Sequence, residues 1–215
     1  MKNLFISYYE SKNPDRNTEI KKAIKFNLES GWVDRIFLLI DPGVKNPFHG
    51  QCTEIKLKQK PTFKIFFSAV NEVTNKDDLN IITNSDIIID ETIEVAEKRI
   101  TPSQCYALSR WEMNPDMTCQ AKQVQVYGDS QDAWIFKGHI SNSEKMWLDF
   151  PMGKMGCDNR IAHEIKQGGY DVLNPAKSIK TWHLHTVDFR EYDNQVRNEQ
   201  TVVQPPYLTI PITSL

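Results

Sequence analysis

The sequence predicts an α/β fold: a mostly parallel central sheet with helices on both faces. Three observations carry this. Short apolar runs without polar alternation suit strands buried on both sides. Amphipathic segments of helical period separate them. Each run stops at a turn-forming cluster, as alternating strands and helices require.

Taken in order, residues 3–9 (NLFISYY) form the first such run. Residues 17–30 place Ile20, Ala23, Ile24 and Leu28 at helical spacing and end at Gly31. Residues 33–40 (VDRIFLLI) are a second strand, closed by Asp41-Pro42-Gly43. Residues 54–58 alternate and read as a strand nearer an edge, and Pro61 opens a helix with Phe63, Phe66, Phe67 and Val70 on one face. Residues 79–83 (LNIIT) are a fourth strand, stopped by Asn84-Ser85-Asp86, after which Ile87 to Ile89 resume an apolar run. Beyond these, residues 104–111 and 133–136 read as strands, 158–167 as a helix closed by Gly168-Gly169, and 181–185 as a last strand. The expected organisation is one domain over residues 1–193, followed by a wrapping tail or linker stub over 194–215.

Of the 215 residues, 40% are apolar and 25% charged, enough for a sizeable core and too apolar for a disordered chain. The 26 basic and 28 acidic residues leave a formal charge of −2, so no surplus exists to neutralise a nucleic-acid backbone. Cys52, Cys105, Cys119 and Cys157 stand far apart with no CxxC pair, which argues against a zinc ribbon or a disulfide framework. No signal peptide or membrane-spanning run is recognisable, so a cytoplasmic protein is expected.

Ligands of parallel sheets bind beyond the carboxyl ends of the strands. Ser7-Tyr8-Tyr9, Asp41 and Asn84-Ser85-Asp86 all fall at such ends. Asn84 and Asp86, two residues apart, offer oxygens to a hard divalent cation, which can bridge to a diphosphate. The same triplet also makes an ordinary turn held by local side-chain bonds. His183 and His185 share a strand face and suit Mn2+ or Zn2+, or else are histidines bonded to backbone. Asp158, after a Gly-bearing loop, is an N-cap, a proton acceptor, or both. Asp132 and Trp134 combine an acid with an indole, as carbohydrate contacts do and as a turn beside a core ring does. Lys177, Lys180 and Arg190 could meet phosphate or simply face solvent.

The triplet Asn-Ser-Asp after a strand, the helix start Gly-Cys-Asp-Asn-Arg and the closing His-x-His together resemble nucleotide-sugar glycosyltransferases of the GT-A fold. More narrowly, SQDAWIFKG, GCDNRIAHEIKQGGYDVLNP and IKTWHLH are similar to small glycosyltransferase domains of bacteria and large algal viruses, including the N-terminal domain of a multidomain chlorella-virus protein involved in capsid glycan synthesis. The resemblance implies a GT-A sheet, a UDP-sugar donor, a glycan acceptor and Mn2+ (or Mg2+). It places Asp86, His185 and His183 at the metal and Asn84-Ser85-Asp86 on the DxD motif, with Asn in place of the first acid. It makes Asp158 the general base of an inverting transfer of a hexose or a deoxyhexose such as rhamnose. By position it puts Tyr8, Asp41, Lys60 and Thr62 on the nucleoside and Asp132 and Trp134 toward the acceptor. The rivals are a noncatalytic nucleotide- or glycan-binding module of a larger protein, and a sugar-phosphate nucleotidyltransferase. The stretch after the first strand, SYYESKNPD, lacks the glycines a nucleotidyltransferase would use. A metal-dependent hydrolase would want more ligands close together.

Overall fold

The computed structural model describes residues 1–114, 116–117, 119–123, 128, 130–184 and 202–215. Its main sheet has seven strands in the order β10-β6-β9-β4-β1-β2-β3. These are β1 (Lys2–Tyr8), β2 (Arg35–Ile40), β3 (Thr53–Lys56), β4 (Leu79–Thr83), β6 (Gln104–Leu108), β9 (Ala133–Lys137) and β10 (Asp171–Leu173). Strands β3, β2, β1 and β4 run parallel, β9 is antiparallel to β4 and β6, and β10 is parallel to β6. Every residue of β4 is buried, as a strand covered on both faces requires. Pairing of Tyr8 with Ile40 and of Ile6 with Thr83 brings the carboxyl ends of β1, β2 and β4 to one rim.

Alternation along the strands separates two cores. Leu4, Ile6, Leu38, Ile81 and Ile135 pack with Ile20 and Ile24 of α1 (Pro14–Ser30) and with Ile93 and Ala96 of α3 (Ile93–Arg99). Phe5, Phe37, Ile82, Trp134 and Phe136 pack with Phe63, Phe66 and Phe67 of α2 (Phe63–Val73) and with Ile161 and Ile165 of α4 (Cys157–Gln167). α1 begins three residues before the expected start. Asn13 caps it by accepting from the amides of Asp15 and Arg16, and Pro14 fills a first-turn position where no amide partner is needed. α3 was not expected, because one buried turn leaves too short a period to see.

A second sheet has the order β5-β11-β7-β8, built from β5 (Ile87–Ile89), β7 (Trp111–Met113), β8 (Cys119–Gln123) and β11 (Thr181–Leu184). The single strand expected over residues 104–111 is therefore two strands in different sheets. The break is at Ser109, whose amide leaves the ladder for Asn174 Oδ1 at 3.1 Å and whose hydroxyl donates to the Ser130 carbonyl at 2.8 Å. Of the tail, residues 202–215 are described. Val203 and Ile210 are buried in the α2/α4 core, and the Val203, Leu208 and Thr213 amides bond the carbonyls of Met155, Asn159 and Asn174.

Candidate functional site

The turn after β4 is held both by its own bond, from the Ile87 amide to the Asn84 carbonyl at 3.4 Å, and by its neighbours. Once β4 ends, the Ser7 carbonyl of β1 has no ladder donor, and the Ser85 hydroxyl supplies one at 2.8 Å. Asn84 donates its backbone amide to the Asp132 carbonyl at 3.1 Å and its side-chain amide to Asp132 Oδ1 at 2.6 Å. Asp86 thereby stands immediately before β5, with its carbonyl accepting from the Leu184 amide of β11, where His183 pairs in register with Ile87. The two side chains, 97 residues apart in sequence, meet with His183 Nε2 3.0 Å from Asp86 Oδ2.

Charge runs outward from this pair in both directions. Arg16, in the first turn of α1, places Nη2 2.5 Å from Asp86 Oδ2 and Nη1 against Glu19 Oε1. On the other side His183 Nδ1 is 3.0 Å from Glu112 Oε2. Arg110 then joins Glu112 Oε1 at 3.0 Å to Asp132 Oδ2 at 3.1 Å. Burial alone would make both the imidazolium and the carboxylates costly, but pairing wins. Against burial, Asp86 and Glu112 push His183 up to about 10, which favours the imidazolium until a bound cation displaces the proton of its ligating nitrogen. Burial would likewise raise the two acids. His183 and Arg16 hold Asp86 well below the carboxylate range, and His183 and Arg110 bring Glu112 down to about 2.

Glu19, Asp86 and His183 each offer a ligating atom, and these atoms lie within 4.8 Å of one another. Two carboxylates and an imidazole suit Mn2+ or another hard-to-borderline divalent ion. Asp86 is 5% exposed and its Oδ1 is buried with no hydrogen-bond partner, an oxygen that a cation would satisfy. On both counts the residues fit a metal. His185 lies outside the described residues.

Asp158 lies near the far end of this charge network, beside Asp132. The cap expected of it falls instead on Gly156, whose φ of 79° suits glycine, and Asp158 is the second residue of α4. Its carboxylate accepts from Ser130 Oγ at 3.1 Å and from Cys157 Sγ at 3.0 Å. Burial and the nearby Asp132 push it up to about 7, against the two donors and Arg110. A carboxyl so placed exchanges its proton near neutrality.

The nucleoside candidates sit along the same rim. Tyr8 is a buried core ring, edge-on to Phe48, and its hydroxyl is raised by burial and by Glu10. The Asp41 amide donates to the Tyr8 carbonyl, while Asp41 Oδ1 is buried without a partner. Burial raises the Asp41 carboxyl, opposed by exposed Lys60. Thr62 stands at the start of α2 with Oγ1 buried and unpartnered. Trp134 does not face an acceptor: it is 0% exposed and lies edge-on to Phe63 at 5.0 Å, because β9 is an interior strand covered on both faces. Asp132, its neighbour but one, is committed to Asn84 and Arg110.

No family model matches the chain, and no curated protein matches it. Solved structures do. The mannosyltransferase PcManGT from Pyrobaculum calidifontis, in complex with GDP-Man and Mn2+, aligns with a TM-score of 0.55 at 13% identity, over 89% of this chain and 58% of that one. S. aureus TarS 1-349 aligns at 0.52 and 13% identity, over 85% and 60%. GalNAc-T7 with UDP, GalNAc and Mn2+ aligns at 0.53 and 8% identity, over 87% and 43%. The fold is GT-A-like. The chain spans between 43% and 60% of the length of these structures, and at such identities the likeness is one of fold.

At the rim of the GT-A-like sheet, four participants were not expected from the sequence: Arg16 and Glu19 of α1, Arg110 between β6 and β7, and Glu112 of β7. Glu19 carried a usable signal, since it precedes Ala23 by four and shares the buried face of α1 despite its charge. Arg110 and Glu112 pair with each other, but the residues that tie them to the site, Asp132 and His183, lie 22 and 71 residues away and left no sequence signal. Lys180 lies over the rings of Trp111 and Trp182 at 5.1 and 5.6 Å, and Arg190 is outside the described residues. Among the described residues no helix is long and apolar enough to cross a membrane.

Proposed function

We propose that the protein transfers a sugar from a UDP-sugar to a hydroxyl of a glycan acceptor, with inversion. The observation that carries this reading is the meeting of Asp86 and His183 at the carboxyl rim of a GT-A-like sheet, with Asp158 joined to the same charge network through Asp132. Glu19, Asp86 and His183 would hold Mn2+ or Mg2+, which when bound supplies charge to offset that developing on the diphosphate leaving group. The unpartnered Asp41 Oδ1 is an acceptor suited to the N3–H of uracil, and Lys60, whose charge reaches Asp41, would take the ribose together with Thr62. Ser85 keeps the turn against β1, and Asn84 ties Asp132 to it.

In the transfer, Asp158 accepts the proton of the acceptor hydroxyl as its oxygen forms a bond to the anomeric carbon. The bond from that carbon to the diphosphate oxygen breaks, and UDP leaves with the electron pair. Ser130 and Cys157 keep the carboxylate aimed. The sugar is a hexose or deoxyhexose, and further domains of the same polypeptide would suit a chain that spans part of its structural neighbours.

UDP release from a panel of UDP-sugars, with and without glycan acceptors, tests the reading. Asp158→Asn should retain UDP binding and lose about two to four orders of magnitude in transfer. Binding without turnover in the wild type would instead indicate a noncatalytic module.

A further inference from the structure

We propose that the Arg16 guanidinium and a divalent cation are alternative occupants of the Glu19–Asp86–His183 pocket, so that Arg16 sets how tightly the pocket takes metal. The inference rests on the transferase reading only for the purpose of the pocket. Arg16 reaches two of the three metal donors at once: Nη2 is 2.5 Å from Asp86 Oδ2 and Nη1 touches Glu19 Oε1. The Glu19 side chain is 0% exposed and that of Asp86 7%, while Arg16 keeps 15% and lies nearer the rim.

A guanidinium cannot shed its charge at any ordinary pH, so it neutralises these acids permanently while in place. Carboxylate oxygens hold a divalent ion at about 2.0–2.2 Å, through lone pairs toward which the Arg16 N–H groups already point. Two cations so close would also repel each other. Metal entry therefore requires Arg16 to swing outward. In the transferase reading a diphosphate would lie beside the cation, and phosphate oxygens match the planar guanidinium as well as carboxylates do. The exchange would couple metal binding to donor binding. One oxygen is already waiting: Asp86 Oδ1 is buried, and Arg16 does not serve it.

The test is a Mn2+ titration of the full chain without nucleotide, followed by the electron paramagnetic resonance signal of the free ion, with thermal melts as a folding check. Arg16→Gln should bind Mn2+ at least tenfold more tightly than wild type. Arg16→Lys should also bind more tightly, by a smaller factor, since one ammonium cannot bridge both carboxylates, and it decides the matter if the Gln variant does not fold. Equal or weaker binding in the folded variants overturns the proposal, as does a complete lack of Mn2+ binding by all three proteins. Calorimetry of UDP with wild type at saturating Mn2+ reports separately on the transferase reading: failure to bind UDP would count against that reading and leave the Mn2+ comparison standing.

Discussion

At Asp158, two donors favour the ionised carboxylate, while burial and the Asp132 charge disfavour it, and the balance falls near 7. The base is the ionised form, so the transfer rate should rise with pH through about 7 and level off above it. Ser130→Ala removes a hydrogen bond made to the charged form, which raises the carboxyl further. The ascending limb of the kcat profile should then move to higher pH, with UDP affinity unchanged. A profile superimposable on wild type would dissociate Ser130 from the base. Asp158 was visible in the sequence as an acid at a helix start. Its perturbation was not, because Asp132 and Ser130 reach it only through folding. Trp134 teaches the converse: an indole beside an acid resembles a sugar platform, yet the ring lies within β9 and packs into the core, while Asp132 precedes the strand and joins the ion pairs of the rim.

Elements were legible in proportion to how locally they are encoded. α1, α2 and α4 announce themselves by apolar period and terminal glycine or proline, and β1, β2 and β4 by unbroken apolar runs. The β6–β7 break was hidden, since the partners that take Ser109 out of its ladder, Ser130 and Asn174, lie 21 and 65 residues away. The tail depends on a similar long-range fit. At Gly128, with φ +65°, an added Cβ would lie 1.9 Å from the Ile210 carbonyl oxygen. Gly128→Ala should therefore displace the segment around Ile210 and cost about 1–3 kcal/mol in denaturant unfolding. It should also make that segment more susceptible to limited proteolysis, and wild-type stability would mean that the contact is dispensable.

For the molecule as a whole, stability comes from two apolar layers separated by one sheet, and function from the rim where that sheet meets the second. Trp134 lies in the larger layer against Phe63, so Trp134→Ala should cost about 3–5 kcal/mol and lower the melting temperature sharply. Trp134→Phe should restore most of the loss. If Trp134→Ala instead melts like wild type and raises only the acceptor KM, the ring serves substrate rather than packing. The rim is built differently, from ion pairs whose members come from α1, the β4–β5 turn, the β6–β7 connection, β7, the residue before β9, and β11.

By itself the sequence determined the layered α/β architecture, the strands whose ends form the rim, and which acids and histidines were available there. Periodicity and turn chemistry are local properties, written in neighbouring residues. The tertiary structure alone decided that His183 meets Asp86, that Arg16 and Glu19 join them, and that Asp158 faces Asp132. Those contacts span tens of residues, and their strength depends on the burial and shared charge that exist only once the two sheets have packed.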